Sequence, residues 1–179
     1  SINRPRELTD QDGHVTTYTY DANSNRTSVE DGNGHFTRYV YDQLNRLATE
    51  TTPVGGVITH TYDINSNLST KNDAIGTTYR YGYDALDRVT REIHADNVAA
   101  DRREQVNSYD ANSNRLTQQN FRGFTTTYAY DNLNRVSTVT DALSQSATYT
   151  YDPVGNKLSS TDRRNFTTTF IYDDLDRAT

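Results

Sequence analysis

Tyrosine followed directly by aspartate occurs eight times, and the recurring carboxylates are the first candidates for a catalytic role. Two carboxylates can act as acid and base on a glycosidic bond. Aspartates that recur at one phase are better explained by turns, in which the carboxylate accepts a bond from the backbone N–H two residues on. The spacing is 21 residues except for one interval of 26. The pairs are Tyr20 and Asp21, Tyr41 and Asp42, Tyr62 and Asp63, Tyr83 and Asp84, Tyr109 and Asp110, Tyr130 and Asp131, Tyr151 and Asp152, and Tyr172 and Asp173.

Metal and cofactor chemistry finds little support in these segments. Residues 21–25, 63–67 and 110–114 read D-x-N-x-N, the first half of a calcium loop. The glycine that such a loop needs at position six is absent, which favours simple aspartate turns. His14 and His35 each follow a turn glycine one repeat apart, and we regard them as surface turn residues rather than metal ligands. We therefore predict a protein without catalytic residues, metal or cofactor.

Composition narrows the class of protein further. Leu, Ile, Val and Phe number 32 in 179 residues, below the roughly 20% level associated with disorder. Fourteen tyrosines oppose that interpretation and favour strands. The chain has no cysteine and a net charge of −6, without a basic stripe, which argues against nucleic acid as a partner. The chain contains no run of 18 apolar residues, so the sequence predicts no membrane-spanning helix.

A second marker lies seven residues before each repeat tyrosine, where Gly13, Gly34, Gly55 and Gly76 stand at one phase. Two turn signals in each unit predict two short strands joined as hairpins. The sequence predicts that the Tyr-Asp turn alternates between a long form, DANSNR, and a short form, DQLNR, which makes the true period about 42 residues. The second strand would then carry an apolar stripe at Leu47, Leu68, Val89, Leu116, Val136 and Leu158.

The strand before each Tyr-Asp pair carries an aromatic pair at i and i+2. Tyr39 and Tyr41 should share one sheet face, with Val40 on the other. Stacked hairpins would place the aromatic pairs of neighbouring units in a ladder. The arginines and lysines after the turns could pair with a carboxylate of an adjacent unit; they stand at positions 26, 46, 88, 115, 135, 157 and 177.

The units GHFTRYVYDQLNR, GTTYRYGYDALDR and GFTTTYAYDNLNR resemble the YD repeats of the Rhs family. Related repeats occur in insecticidal Tc toxins, wall-associated proteins and teneurins. The resemblance covers essentially the whole chain. It implies an all-β fold in which tandem hairpins form a curved, spiralling antiparallel sheet, an open segment of a hollow shell. We accordingly expect residues 1–179 to be a single array of about eight units.

The resemblance also implies a function. The chain would be a non-catalytic wall segment of a secreted or cell-surface bacterial shell that encapsulates a toxin or effector domain. Its partners would be the rest of its own shell and the enclosed domain, and the isolated fragment could self-associate edge to edge. The alternative is a repeat module that binds carbohydrate or a cell surface through its aromatic residues.

The unit at residues 84–110 is five residues longer than the others and strongly charged. A protruding hairpin is the simpler interpretation, since surface loops tolerate insertions. A contact point for a partner or for the enclosed domain is the alternative. Its candidate residues are Asp96, Asp101, Arg102, Arg103 and Glu104.

Overall fold

The computed structural model describes residues 4–95 and 102–179, without the side chain of Arg102. The described chain forms β-strands and turns, and none of its elements is a helix able to cross a membrane. The strands follow one another in the sheet in the order of the sequence. They are β1 (Glu7–Thr9), β2 (Val15–Tyr20), β3 (Arg26–Glu30), β4 (Phe36–Tyr41), β5 (Leu47–Thr51), β6 (Val57–Tyr62), β7 (Leu68–Asn72), β8 (Thr78–Tyr83), β9 (Val89–Ala95), β10 (Arg102–Tyr109), β11 (Arg115–Gln119), β12 (Thr125–Tyr130), β13 (Val136–Thr140), β14 (Ser146–Tyr151), β15 (Lys157–Thr161) and β16 (Thr167–Thr169).

Two kinds of antiparallel hairpin alternate along the chain. A Tyr-Asp hairpin such as β4–β5 pairs four residues on each strand and contains a bulge between Val40 and Tyr41. A glycine-turn hairpin such as β3–β4 pairs three residues, from Glu30 opposite Phe36 to Ser28 opposite Arg38. Pairing in the glycine-turn hairpins therefore stops before the tyrosine ends of their strands. The predicted all-β class with tandem hairpins is confirmed.

The described residues fall into two compact units, one of residues 1–88 with 93–102 and one of residues 89–92 with 103–179. Within each unit the two hairpin kinds alternate with the same registers, as β2–β3 and β12–β13 illustrate. The organisation of residues 1–179 as a single repeat array stays a prediction.

The Tyr-Asp turns that the sequence divided into a long and a short form all have the same five-residue form. The expected alternation of turn length is therefore wrong. In the supposed long turn the Asp21 amide donates to the Asn25 carbonyl, and in the supposed short turn the Asp42 amide donates to the Arg46 carbonyl. The fourth residue has a positive φ in each case, 79° at Ser24 and 61° at Asn45. The predicted left-handed residue at the glycine turns is confirmed, with φ of 80° at Gly34.

Equal turns also correct the expected apolar stripe. The residue paired with the second tyrosine is Leu47 or Leu68 in some hairpins, but Arg115 in β10–β11 and Lys157 in β14–β15. Leu116 and Leu158 fall one position later and are 39% and 41% exposed. The prediction was wrong at these two leucines because it assigned an extra residue to their turns, and one residue of slip reverses the face of a strand.

The sheet encloses almost no core. Among the described residues only Ile93 and Asn107 are less than one-tenth exposed. The predicted division of faces in β4 is confirmed, since Tyr39 and Tyr41 are half-buried whereas Val40 is 59% exposed. A thin sheet of this kind gains its stability from contacts between neighbouring hairpins rather than from a packed interior.

We expect the left-handed turn position to tolerate asparagine but not a β-branched residue. A Cβ added at Gly34 would meet no atom within 4 Å, so any cost there reflects the backbone conformation alone. Gly34→Val should lower the free energy of unfolding by about 1–2 kcal/mol, as left-handed conformations cost L-residues. Gly34→Asn should cost clearly less, because Asn45 and Asn134 adopt this φ at the Tyr-Asp turns. Denaturant titration of both variants checks the difference, and equal losses would contradict it.

Candidate functional site

The tyrosine of each Tyr-Asp pair donates its hydroxyl to a backbone carbonyl on the preceding strand. In seven of the eight pairs the acceptor lies 15 residues earlier, as in Tyr130 to the Arg115 carbonyl at 3.0 Å, and for Tyr109 in the longer unit it lies 20 residues earlier. We call this bond the tyrosine clasp. The other clasps join Tyr20 to Pro5, Tyr41 to Arg26, Tyr62 to Leu47, Tyr83 to Leu68, Tyr109 to Val89, Tyr151 to Val136 and Tyr172 to Lys157.

The clasp closes the open end of a glycine-turn hairpin. In β11–β12 backbone pairing runs from Gln119 opposite Thr125 to Thr117 opposite Thr127 and stops there. The phenol of Tyr130 then bonds the carbonyl of Arg115, the first residue of the neighbouring strand. A carbonyl beyond the last backbone pair would otherwise have to find water. The clasp thus binds two strands where their backbones no longer bind each other.

The hydroxyl bond explains why the two aromatic positions differ in the residue types found there. The first position is His60 in one unit, Asn107 in another and Phe170 in a third. The second position is tyrosine in all eight units, and phenylalanine never replaces it. Only a phenol supplies both the ring and the donor that this position uses.

The aspartate of each pair organises the turn that follows it. One carboxylate oxygen of Asp42 accepts bonds from the Leu44 amide at 2.8 Å and the Arg46 amide at 2.9 Å. The other oxygen accepts the Arg46 Nε at 2.7 Å. The bond from the backbone N–H two residues on, predicted from the sequence, is confirmed. The carboxylate is fully engaged inside its own turn.

These bonds lower the pKa of the Asp42 and Asp131 carboxyls and keep them ionised. The Arg46 amide lowers the pKa of Asp42 most, partial desolvation opposes it, and the Arg46 side chain lowers the pKa further. The pKa of Asp131 is lowered by the same contributions from Arg135. A carboxyl with a lowered pKa stays charged near neutral pH and is poorly suited to act as a general acid.

Neighbouring Tyr-Asp turns are linked by side chains, and the linking residue alternates. Where the fifth turn residue is asparagine, its amide donates to the fourth residue of the next turn, as in Asn114 to Asn134 at 2.7 Å. Where it is arginine, the guanidinium reaches the next turn, as in Arg135 to the Asp152 carbonyl at 2.6 Å. The 42-residue period is therefore an alternation of asparagine and arginine, not of turn length.

Basic side chains lie between the tyrosine rings of successive units. The guanidinium of Arg26 is 5.9 Å from the centroid of Tyr18 and 5.1 Å from that of Tyr39. Tyr18 and Tyr39 stand on alternate strands, about 10 Å apart, too far for direct ring contact. The expected ladder of ring-to-ring contacts is therefore wrong here, because a cation on the intervening strand separates the rings.

The expected ion pairs with adjacent units are also corrected. Arg46 pairs with Asp42 of its own turn at 2.7 Å, and its guanidinium lies 4.5 Å from the Tyr62 centroid in the next unit. Arg135 repeats this arrangement with Asp131 and Tyr151. The arginine thus reaches its neighbour through a cation–π contact and hydrogen bonds to uncharged acceptors, rather than through a carboxylate.

The aspartates beside His14 and in the calcium-like turns are already hydrogen-bonded to their own turns. In the part of the chain that the structure describes, one group of possible metal ligands occurs, formed by the exposed Asp10, Asp12 and His14 within 4.8 Å. Asp10 already accepts the amides of Asp12 and His14 at 2.9 Å. In the D-x-N-x-N turn Asp21 likewise accepts the amide and side chain of Asn25.

The candidate contact residues of the long unit are only partly visible. Asp96 and Asp101 lie outside the described residues, as does the side chain of Arg102. Glu104 forms a two-bond ion pair with Arg91, at 2.6 and 3.0 Å. Arg103 is exposed. The partner-contact hairpin stays a prediction, as does the role of the Tyr-Asp residues as structural anchors.

Comparison with known proteins identifies the repeat. The sequence profile described as RHS Repeat matches residues 1–35, 23–57, 62–99 and 109–146, well over half of the chain. The chain belongs to the RHS repeat family. No curated protein sequence matches it significantly.

Solved structures share the fold of this RHS repeat segment. The Tc holotoxin pore of Photorhabdus luminescens, in a TccC3 mutant form, superposes with a TM-score of 0.78 at 18% identity over 95% of this chain. The TcdB2-TccC3-Cdc42 structure gives 0.66 at 18% identity over 98%, and TcdB2-TccC3 without its hypervariable C-terminal region gives 0.66 at 17% over 98%. This chain spans only 10–12% of those chains.

Removing a clasp hydroxyl should destabilise the sheet, whereas removing a neighbouring hydroxyl should not. Tyr151 donates to the Val136 carbonyl at 3.0 Å, while Tyr149 on the same strand makes no hydroxyl bond within the described chain. Tyr151→Phe should lower the free energy of unfolding by about 1 kcal/mol, the net value of such a bond. Tyr149→Phe should be neutral within measurement error. Similar losses in chemical denaturation would contradict the clasp.

The free energy of unfolding should fall in acid. Because the folded pKa of Asp42 is lowered from its ordinary 3.8, its contribution is present above that value and is lost as pH falls through the folded pKa. We expect a flat denaturation midpoint from about pH 7 to 5 and a decline below about pH 4. Asp42→Asn should weaken that decline, whereas Asp174→Asn, at an exposed position beside a turn aspartate, should leave it unchanged. A midpoint that rises on acidification would contradict this account.

Proposed function

We propose that the chain is a wall segment of a secreted or cell-surface Rhs-type shell that encloses a toxin or effector domain. The observation that carries the proposal is the tyrosine clasp, which binds each unit to the one before it at the same place. A unit built in this way extends a sheet by repetition and needs no second layer to cover it. The coarser conclusion, a structural repeat segment, follows from the family and the fold.

The arrangement of residues supports a wall rather than a catalyst. Asp42 and Asp131 are hydrogen-bonded within their own turns and have lowered pKa values. Carboxylates used in this way are neither free to approach a substrate nor protonated near neutral pH. The tyrosine rings that a carbohydrate module would present are held by clasps and covered by guanidinium groups, as Tyr62 and Tyr151 show.

The fold comparison supports enclosure as the purpose of the wall. The similar structures include TcdB2-TccC3 without a hypervariable C-terminal region and the same pair with Cdc42. This chain covers about a tenth of those chains, so an enclosed domain would belong to a longer polypeptide. Its remaining shell and the enclosed domain would be the partners of this segment.

Protease protection of the enclosed domain tests the proposal. In the longer polypeptide that contains this segment, the effector domain should resist protease until the shell is unfolded. Replacing Tyr41 and Tyr151 together by phenylalanine removes two clasps, and should shorten the lifetime of the effector domain under digestion. The matched control replaces Tyr39 and Tyr149, which make no hydroxyl bonds within the described chain.

The result expected is protection in the control and faster digestion in the clasp variant. An effector domain that is digested equally fast inside the polypeptide and alone would contradict enclosure. Full protection in both variants would show that clasps are not what closes the wall.

A further inference from the structure

A depression of about 330 Å³ opens on the tyrosine face of the compact unit of residues 89–92 and 103–179. Its floor is formed by Val139, Ala147 and Ser160 on three consecutive strands, and Tyr149 stands at its side. Val139 lies opposite Ala147, and Tyr149 lies opposite Ser160. The volume suits a single small ring.

The depression exists because the repeat departs from its own pattern at this place. In the equivalent pairs of other hairpins, Val29 faces Thr37, Gln118 faces Thr126 and Glu50 faces Ile58. Ala147 and Ser160 are the smallest residues found at their positions in the registers described. The half-buried ring of Tyr149 borders this floor of small residues.

Two arginines line the same depression. Arg163 stands at a turn position where the equivalent turns have no arginine, whereas the position of Arg164 is also an arginine at Arg122. Arg163 and Arg164 occupy the second and third positions of the turn that follows β15. The equivalent positions in the turn one unit earlier, residues 141–145, are Ala142 and Leu143. Lys157, with its Nζ 5.0 Å from the Tyr149 centroid, adds a third positive charge.

The neighbouring carboxylates leave part of this positive charge unbalanced. Asp162 accepts the amides of Arg164 and Phe166 at 2.8 and 2.9 Å. Asp141 pairs with Arg163 at 3.3 Å. Within the described residues the Arg164 side chain makes no ion pair, so one planar guanidinium at the rim is available to a carboxylate.

The strand in the middle of the depression has no free backbone edge. β14 is paired on one side with β13 and on the other with β15. An extended peptide bound by its main chain needs an unpaired strand edge. A ligand here cannot add to β14 as a further strand. The side chains that can hold it are the Tyr149 ring, the hydroxyls of Tyr149 and Ser160, and the arginines.

We propose that this depression binds a small ring that carries a carboxylate. The ring lies against Tyr149, and the carboxylate accepts the paired N–H groups of Arg164, a charge-assisted geometry that is stronger than a neutral bond. The hydroxyls of Tyr149 and Ser160 serve the remaining polar groups. A hexuronic acid residue and an aromatic acid share this chemistry.

Titration of the whole chain with four probes tests the site and distinguishes the two sources. Trigalacturonate represents the acidic sugar, with maltotriose as its uncharged counterpart. 4-Hydroxybenzoate represents the aromatic acid, with 4-hydroxybenzamide as its counterpart. We expect one of the two acids to bind and its uncharged counterpart to bind at least about tenfold more weakly. Binding is measured by calorimetry or by the NMR shifts of the amides of residues 139–164.

Three variants locate the binding. Arg164→Ala should weaken the bound acid at least about tenfold, whereas Arg122→Ala, at the same turn position two units earlier, should have no effect. Ala147→Ile fills the depression with the residue found at the equivalent position 58, and should abolish binding while the denaturation midpoint is kept. The two alanine variants carry the same change in charge.

The proposal is overturned if neither acid binds at millimolar concentration, or if the uncharged counterpart binds equally well. It is also overturned if Arg122→Ala weakens binding as much as Arg164→Ala, because the attraction would then be unspecific. Unchanged affinity in Ala147→Ile, or equal affinity for an acidic peptide, would likewise exclude this site.

Discussion

A hydrogen bond from a tyrosine hydroxyl to a neighbouring carbonyl recurs at every Tyr-Asp pair and joins strands whose backbone pairing has ended. Backbone pairing in a glycine-turn hairpin ends after three residues, so the far ends of its strands would separate without it. Tyr130 and its equivalents close that gap. The requirement places a phenol at the end of one strand and a turn immediately after it, and so accounts for Tyr-Asp as a unit.

The thinness of the sheet makes such repeated contacts decisive. A chain in which only Ile93 and Asn107 are buried among the described residues cannot rely on a hydrophobic interior. Each clasp contributes about 1 kcal/mol, and each cation–π contact about 0.5–1 kcal/mol at an exposed site. These contributions act between neighbours, so the stability of a repeat array grows with the number of interfaces. This suits a wall, which must extend over distance rather than enclose a core of its own.

Much of the fold could be predicted from the sequence because turns and alternation are local properties. The left-handed position at Gly34 and the opposite faces of Tyr39 and Val40 follow from residue type and strand geometry. The length of the Tyr-Asp turns could not be predicted from the sequence, because DANSNR and DQLNR differ in sequence but form the same five-residue turn. That error moved Leu116 and Leu158 to the wrong face.

The clasp itself was missed, although the sequence contains a signal for it. The first aromatic position accepts histidine, asparagine and phenylalanine, whereas the second accepts tyrosine alone. A position that never exchanges tyrosine for phenylalanine uses the hydroxyl, but the sequence cannot say which carbonyl receives it. The Asn114 and Arg135 links between turns were equally unpredictable, because they join residues 20 and 17 positions apart through the geometry of the sheet.

Hydrogen exchange of Tyr130→Phe, measured by mass spectrometry against the unmodified chain, tests the central claim most directly. If the clasp binds neighbouring units together, exchange should accelerate in β11, which supplies the acceptor Arg115, as well as in β12, which carries the tyrosine. The β14–β15 hairpin, which has its own tyrosine, should be affected less. Acceleration confined to β12 and its own Tyr-Asp turn, with β11 unchanged, would contradict the account.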